Sequence, residues 1–112
     1  MANDPRFEAQ LIEVIRRVLR PDTRTVSATG DIALGDDIIL VDTTSGAVTL
    51  TLPKLDSAYG KIYHIKKTNA GANNLTVDGF SAETIDGATT LVWNTQYLTY
   101  TLFAGNSEWH IL

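Results

Sequence analysis

From Thr23 onward the sequence consists of short extended runs separated by turn residues, and this pattern limits the fold more than any other feature. The runs are rich in β-branched residues, which favour strands, while the turns are rich in Gly, Asn and Asp. The predicted strands are residues 24–27, 37–42, 47–52, 61–67, 75–77, 89–93, 97–104 and 108–112. Strands of this length and spacing indicate a β-sandwich or a barrel.

Two neighbouring runs are expected to pair as a β-hairpin. Residues 37–42 contain a continuous apolar run, whereas residues 47–52 alternate Val or Leu with Thr. Residues 43–46 (TTSG) have the length and chemistry of a hairpin loop. Pro53 then ends the second strand because it has no N–H to donate. No internal repeat of roughly 20–50 residues is visible, which predicts against a solenoid or propeller.

The segment before Thr23 has helical rather than strand spacing. Asn3 or Asp4 can cap a helix, Pro5 suits its first turn and Pro21 ends it, so we expect an amphipathic helix from Pro5 to Arg20. Its wide apolar stripe either covers its own domain or bundles with copies of itself. The residues expected at a self-association interface are Phe7, Leu11, Ile12, Ile15, Val18 and Leu19. The two predicted regions are therefore residues 1–22 and 23–112.

Charge and composition exclude several classes of function. The chain has 13 acidic and 9 basic residues, a net charge of −4, and nucleic-acid binding needs clustered basic residues, so no nucleic-acid partner is expected. Zero cysteines exclude disulfides and thiolate metal sites. No run approaches the roughly 20 apolar residues of a membrane span, and the N-terminus lacks the order of a signal peptide. We expect no membrane insertion.

Residue types that commonly carry out catalysis are few in this sequence and lie far apart in it. His64 and His110 each lie in a predicted strand without a second histidine at metal-binding spacing. The acidic residues lie mainly at predicted turns, where Asp is common. No GxSxG motif is present to hold a serine nucleophile. We therefore expect no enzyme activity, no catalytic residue, no metal and no cofactor.

From about Val26 to Leu112 the order of segments resembles a β-domain that recurs in bacteriophage virion proteins: tail fibres, head fibres and small capsid-decoration proteins. The segments that carry the resemblance are 37–43 (DIILVDT), 46–53 (GAVTLTLP), 60–67 (GKIYHIKK), 74–77 (NLTV), 84–87 (TIDG) and 109–112 (WHIL). The resemblance implies a small antiparallel, jelly-roll-like β-sandwich, commonly trimeric and without enzymatic activity. The physical roles of these segments are mostly scaffolding: Asp86-Gly87 suits a tight turn, and Trp109 is expected to be buried.

The resemblance leads to two hypotheses for the role of the chain. Only about two dozen residues precede the β-domain, which favours a position close to a shell over a long fibre. We expect a homotrimeric capsid decoration protein or short head fibre on the exterior of the virion, in contact with the major capsid protein or another virion protein. The helix of residues 1–22 would either bundle in threes or dock on the capsid surface. The alternative is a tail fibre or receptor-binding tip that contacts a host-surface glycan. Its candidate contacts are Asn69, Asn73, Asn74, Asn94 and Gln96.

Overall fold

The computed structural model describes residues 8–12 and 20–112 and folds the β region into two sheets around one core. With strands numbered in chain order, the five-stranded sheet contains β1 (Thr23–Val26), β3 (Ile38–Val41), β5 (Ile62–Lys67), β8 (Thr99–Ala104) and β9 (Trp109–Ile111) in that spatial order. The four-stranded sheet contains β2 (Gly30–Asp31), β4 (Val48–Thr51), β6 (Leu75–Asp78) and β7 (Thr90–Trp93). The expected mainly β architecture is confirmed.

The first six strands alternate between the two sheets, so the chain winds around the core in parallel coils. In one sheet β1, β3 and β5 are parallel neighbours, and in the other β2, β4 and β6 are parallel neighbours. Only the later pairs, β6 with β7, β5 with β8 and β8 with β9, are antiparallel. Both sheets are therefore mixed, and the expected antiparallel, jelly-roll-like arrangement is wrong for the first half of the domain.

The predicted hairpin of residues 37–42 and 47–52 is also wrong. Its two strands, β3 and β4, lie in different sheets, and residues 43–46 cross from one sheet to the other. The inward residues of β3 and β4 then meet across the core, where Ile39, Val41, Val48 and Leu50 are at most 1 % exposed. Burying two apolar strand faces against each other outweighs the local hairpin preference of the loop.

The chain winds as in a short solenoid. The sequence analysis predicted against a solenoid because no repeat is visible, and that prediction is wrong for the first six strands. Thr23 pairs with Ile38, 15 positions later, whereas Ile38 pairs with His64, 26 positions later. The longer coil contains a short helix, Leu55–Ala58, which the sequence analysis missed, as it missed the two-residue β2. Coils of unequal length leave no fixed period in the sequence.

The expectation of alternating burial is confirmed along the core strands. Val48, Leu50 and Leu52 are buried, whereas Thr49 and Thr51 are not. Trp109 is fully buried, with its ring centroid 5.7 Å from that of Tyr63. Its indole N–H has no acceptor among the described residues, an arrangement that costs about 1–3 kcal/mol.

The predicted helix from Pro5 to Arg20 falls largely outside the described residues. Residues 8–12 are helical, and Arg20 is not. Residues 5–7 and 13–19 lie outside the part of the chain that the structure describes. Within the described part, no helix is long and apolar enough to cross a membrane.

Gly79 lies at the end of β6 where the backbone approaches closely. A Cβ built on Gly79 would overlap the carbonyl oxygen of Glu83, whereas a Cβ on Gly35 would meet nothing within 4 Å. We expect Gly79→Ala to lower the free energy of unfolding by about 2–3 kcal/mol, because backbone must shift to make room. Urea denaturation measures the change. Gly35→Ala is the matched control and should leave the midpoint unchanged; equal effects of the two substitutions would contradict the packing described here.

Candidate functional site

The loops that follow β3 and β5 meet at one end of the five-stranded sheet around Thr43. Thr43 is fully buried, and its backbone N–H donates to Asn69 Oδ1 at 2.9 Å. Its hydroxyl donates to the backbone oxygen of Asn73 at 3.1 Å, and Asn73 Nδ2 donates to the Thr43 carbonyl at 2.8 Å. Two asparagines thus supply the hydrogen bonds that a buried crossing between sheets requires.

Lys67, the last residue of β5, is fully buried at the same end. Its ammonium donates to the backbone oxygens of Asn69 at 2.7 Å and Gly71 at 3.4 Å. A buried ammonium is costly unless its protons are satisfied. Lys67 therefore stabilises the loop around residues 69–71, and its ammonium is unavailable to a ligand.

The structure brings the five predicted receptor contacts to this one end of the domain. Gln96 Nε2 donates to the backbone oxygen of Thr68 at 3.3 Å, which places the loop at residues 94–96 beside the loop at residues 69–74. Asn69 and Asn73 are engaged in the internal hydrogen bonds around Thr43, whereas Asn74, Asn94 and Gln96 are exposed. Receptor contact by these residues stays a prediction.

Tyr97, next to these residues, has an unusual backbone conformation. Its φ is +66°, a left-handed value that bulky residues rarely adopt, and its side chain is 62 % exposed. The Lys66 ammonium lies 5.3 Å from the centroid of its ring, within the range of a cation–π contact. In the sequence, Tyr97 stands out only as an aromatic residue next to a predicted turn.

At the opposite end of the same sheet, Asp37 joins three parts of the chain. Its carboxylate accepts hydrogen bonds from the Asp22 backbone N–H at 2.8 Å and from Lys61 Nζ at 2.6 Å. The backbone N–H groups of Asp37 and Ile38 in turn donate to the Asp22 carbonyl at 3.2 and 2.9 Å. The hydrogen bonds from Lys61 and Asp22 lower the pKa of Asp37 below its ordinary 3.8.

A second carboxylate, Asp36, organises the loop between β2 and β3. It is buried and accepts hydrogen bonds from Arg24 Nη2 at 2.8 Å and from the Ala33 backbone N–H at 2.9 Å. The Tyr63 hydroxyl donates to the Ala33 carbonyl at 3.0 Å. Burial, with a contribution from Asp36 and Asp37, raises the pKa of Tyr63 to about 12. These groups form a structural network rather than an acid–base pair facing a cavity.

The two histidines do not converge on a shared site. His64 Nδ1 is 2.9 Å from the Thr101 hydroxyl, and the His110 ring stacks on Phe103. Across residues 8–12 and 20–112, no group of three or more His, Asp and Glu residues is placed to hold a metal ion. A cleft of about 250 Å³ lies beside Phe80, with Asp31, Thr51 and Lys54 among its lining residues. It is smaller than most ligand pockets.

The outward faces of the two sheets differ sharply in chemistry. The outward side chains of the four-stranded sheet are mostly hydroxyl or acidic: Asp31, Thr49, Thr51, Thr76, Asp78 and Thr90, with Val92 as the apolar one. The outward side of the five-stranded sheet instead carries four threonines, Lys66 and two histidines together with five apolar residues, and we call these five the apolar face: Ile38, Leu40, Ile62, Phe103 and Leu112. Ile62 is 41 % and Leu112 71 % exposed.

The predicted self-association residues are described in part. Leu11 and Ile12 lie on helical residues 8–12 and are 47 % and 49 % exposed. The remaining four, Phe7, Ile15, Val18 and Leu19, lie outside the described residues. The sequence analysis missed the apolar face, although the continuous apolar run in β3 was a signal for it, because such runs are typical of strands covered on both sides.

Comparison with known proteins gives no family for this chain. No protein-family model matches the sequence, and no curated protein matches it. Its function is therefore argued from the site geometry and from the order of its segments.

The hydrogen bonds to Asp37 make its contribution to stability pH-dependent. Because its pKa is lower in the folded than in the unfolded chain, the contribution is complete well above pH 3.8 and is lost as the pH falls below that value. We expect Asp37→Asn to lower the free energy of unfolding at pH 7 by about 1 kcal/mol, since the group is partly exposed. We also expect the variant to lose less stability than the wild type between pH 5 and pH 3.

Urea denaturation at pH 7, 5 and 3 measures both effects. Asp56→Asn is the control, because the Asp56 side chain is 84 % exposed and its ion pair with Lys54 is long, at 3.8 Å. It should follow the wild type at each pH. Identical acid sensitivity of Asp37→Asn and the wild type would contradict the assigned role of Asp37.

Proposed function

We propose that this protein is a non-enzymatic structural protein of a bacteriophage virion, a capsid decoration protein or short head fibre that works as a homotrimer on the exterior of the particle. In this proposal an N-terminal amphipathic helix joins the three copies, and the β-domains project from it. The partner on the particle is the major capsid protein or another virion protein. The order of segments from residue 37 to residue 112 supports the virion assignment through its resemblance to phage β-domains.

The observation that carries the proposal is the exposure of neighbouring apolar side chains on residues 8–12. Leu11 and Ile12 are each nearly half exposed on a helical segment. A short helix is marginally stable in water without a partner surface, and covering one such side chain contributes about 1.5–3 kcal/mol. Three copies of the helix can cover these residues around one symmetry axis, because a closed ring buries equivalent positions in every subunit.

The network geometry supports a scaffold rather than a catalyst. Asp36, Asp37 and Lys67 all have internal hydrogen-bond partners that hold loops at the two ends of the five-stranded sheet. Asp42, whose pKa is lowered, accepts hydrogen bonds from the hydroxyl and N–H of Thr44 within its own turn. Shifted pKa values often mark catalytic sites, but structural ion pairs and turns shift them as well.

The double substitution Leu11→Asp with Ile12→Asp tests the helix interface. We expect the full-length variant to be monomeric where the wild type is trimeric, because the assembly would have to bury two carboxylates per helix. Sedimentation velocity measures the mass. Gln10→Asp adds one exposed carboxylate on the same turn and should remain trimeric. A double variant with the mass of the wild type would contradict the helix interface.

Tyr97 favours a second candidate function, a tail fibre or receptor-binding tip that contacts a host glycan. A bulky residue at positive φ costs on the order of 1–3 kcal/mol, and such strain is concentrated at binding sites. The exposed Tyr97 ring lies close in the chain to Asn94 and Gln96, and an aromatic ring with adjacent amides is suited to stacking on a sugar and hydrogen bonding to its hydroxyls.

Glycan binding by the full-length protein tests this second function. On a glycan array we expect the wild type to bind and Tyr97→Gly to lose binding while its free energy of unfolding stays the same or rises by about 1 kcal/mol, because glycine relieves the strained φ. Tyr59→Gly removes another exposed tyrosine and should keep the binding. A silent wild type, or binding that survives Tyr97→Gly, would count against the receptor-binding tip.

A further inference from the structure

One strand of the apolar face, β3, has the residue pattern of a covered strand rather than of a solvated one. A sheet with one solvated side normally alternates apolar and polar residues, as β4 does with Thr49 and Thr51 outward. In β3 the outward Ile38 and Leu40 are as apolar as the inward Ile39 and Val41, which are fully buried. Continuous apolar strands of this kind are covered on both sides. Among residues 8–12 and 20–112, the core covers only the inner side of β3.

Charge also separates this face from the rest of the surface. The chain carries 13 acidic residues, yet no outward side chain of the five-stranded sheet is a carboxylate; its charged or titratable members are His64, Lys66 and His110. Asp86 lies at the margin of this side of the sheet, with its Oδ1 3.6 Å from Nδ1 of His110. Carboxylates and lysines are both depleted at the cores of protein interfaces. The Lys66 ammonium lies at the end of the sheet, 5.3 Å from the centroid of the Tyr97 ring.

The N-terminal segment enters the β-domain at the edge of this same sheet. The backbone of Asp22 is bonded to Asp37 and Ile38 at the start of β3, and β1 follows at once as the edge strand. The chain therefore enters the domain at Asp22 next to the five-stranded sheet and not next to the four-stranded one. A helix bundle formed by those residues would hold the five-stranded sheets of neighbouring copies near its axis.

We propose that the apolar face packs against the apolar faces of the other copies around the axis of the trimer, with His64 near the centre of the contact. This inference rests on the proposed homotrimer and names its second interface. β5 is the middle strand of the sheet, and His64 lies in the middle of β5.

The size of the face favours a second copy over an independent partner. Four strand spacings of about 4.8 Å and strands of at most about 20 Å give an area of at most about 400 Å². A stable interface buries about 800 Å² on each partner. The face alone is therefore too small to hold a partner, whereas copies already joined by their helices meet at high effective concentration.

The absence of cysteine from the sequence allows a direct test by site-specific crosslinking. The full-length variants are His64→Cys on the outward side of the five-stranded sheet and Thr76→Cys on the outward side of the four-stranded sheet. The reagent is a bismaleimide with a reach near the roughly 10 Å that separates packed sheets. We expect His64→Cys to yield mainly covalent dimers on a denaturing gel and Thr76→Cys to yield monomers. Light scattering of both variants before the reaction measures whether each one is trimeric.

The outcomes distinguish the interface from the homotrimer. Crosslinking of trimeric His64→Cys, and not of trimeric Thr76→Cys, supports the inference. Trimeric variants that crosslink equally, or not at all, would overturn it while leaving the homotrimer in place; the face would then be open or covered by another virion protein. A wild type and variants that are all monomeric would overturn both the interface and the homotrimer.

A matched pair of apolar substitutions gives a second readout. Ile62 and Val92 are exposed to similar extents, 41 % and 48 %, but lie on the outward sides of different sheets. We expect Ile62→Asp to raise the protein concentration needed for trimer formation at least tenfold and Val92→Asp to leave it unchanged. Analytical ultracentrifugation over a dilution series measures this concentration. Equal effects of the two substitutions would contradict the inference.

Discussion

Asp37 and Asp22 hold together the parts of the chain on which the winding of the domain depends. A parallel coil returns each strand to the same end of the sheet, so backbone groups at that end need partners from distant residues. The Asp37 carboxylate supplies two of them, to Asp22 and Lys61, and its N–H donates back to the Asp22 carbonyl. At the other end of the sheet, backbone groups find their partners through the hydrogen bonds among Thr43, Asn69 and Asn73. With both ends held, the apolar strand faces are stacked around one core.

The same winding decides which surface is available for assembly. Because β1 is an edge strand of the five-stranded sheet, the chain enters the domain at Asp22, beside the sheet that carries the apolar face. We infer that helix and sheet contribute to one continuous interface between copies. The four-stranded sheet, with its outward Thr and Asp side chains, is suited to contact water. One side with an apolar face and one side rich in hydroxyl groups are consistent with the proposed subunit of a closed assembly.

Local patterns predicted the strands far better than their pairing. The alternation in β4, the buried Trp109 and the tight turn at Asp86-Gly87, where both residues have positive φ, follow from side-chain chemistry within a few positions. The hairpin prediction failed because residues 43–46 are short enough for either a hairpin or a crossing. The crossing is favoured by burial of the β3 and β4 faces against each other and by hydrogen bonds between Thr43 and residues 26 and 30 positions away. Such contacts leave no local signal, and the same is true of the roles of Asp37 and Lys67.

The proposed function requires the chain to assemble as three identical copies. Multi-angle light scattering of the full-length protein measures its mass in solution. A homotrimer is expected to give a single species of about 37 kDa, three times the 12.2 kDa of one chain. A single species of 12.2 kDa at micromolar concentrations would contradict it.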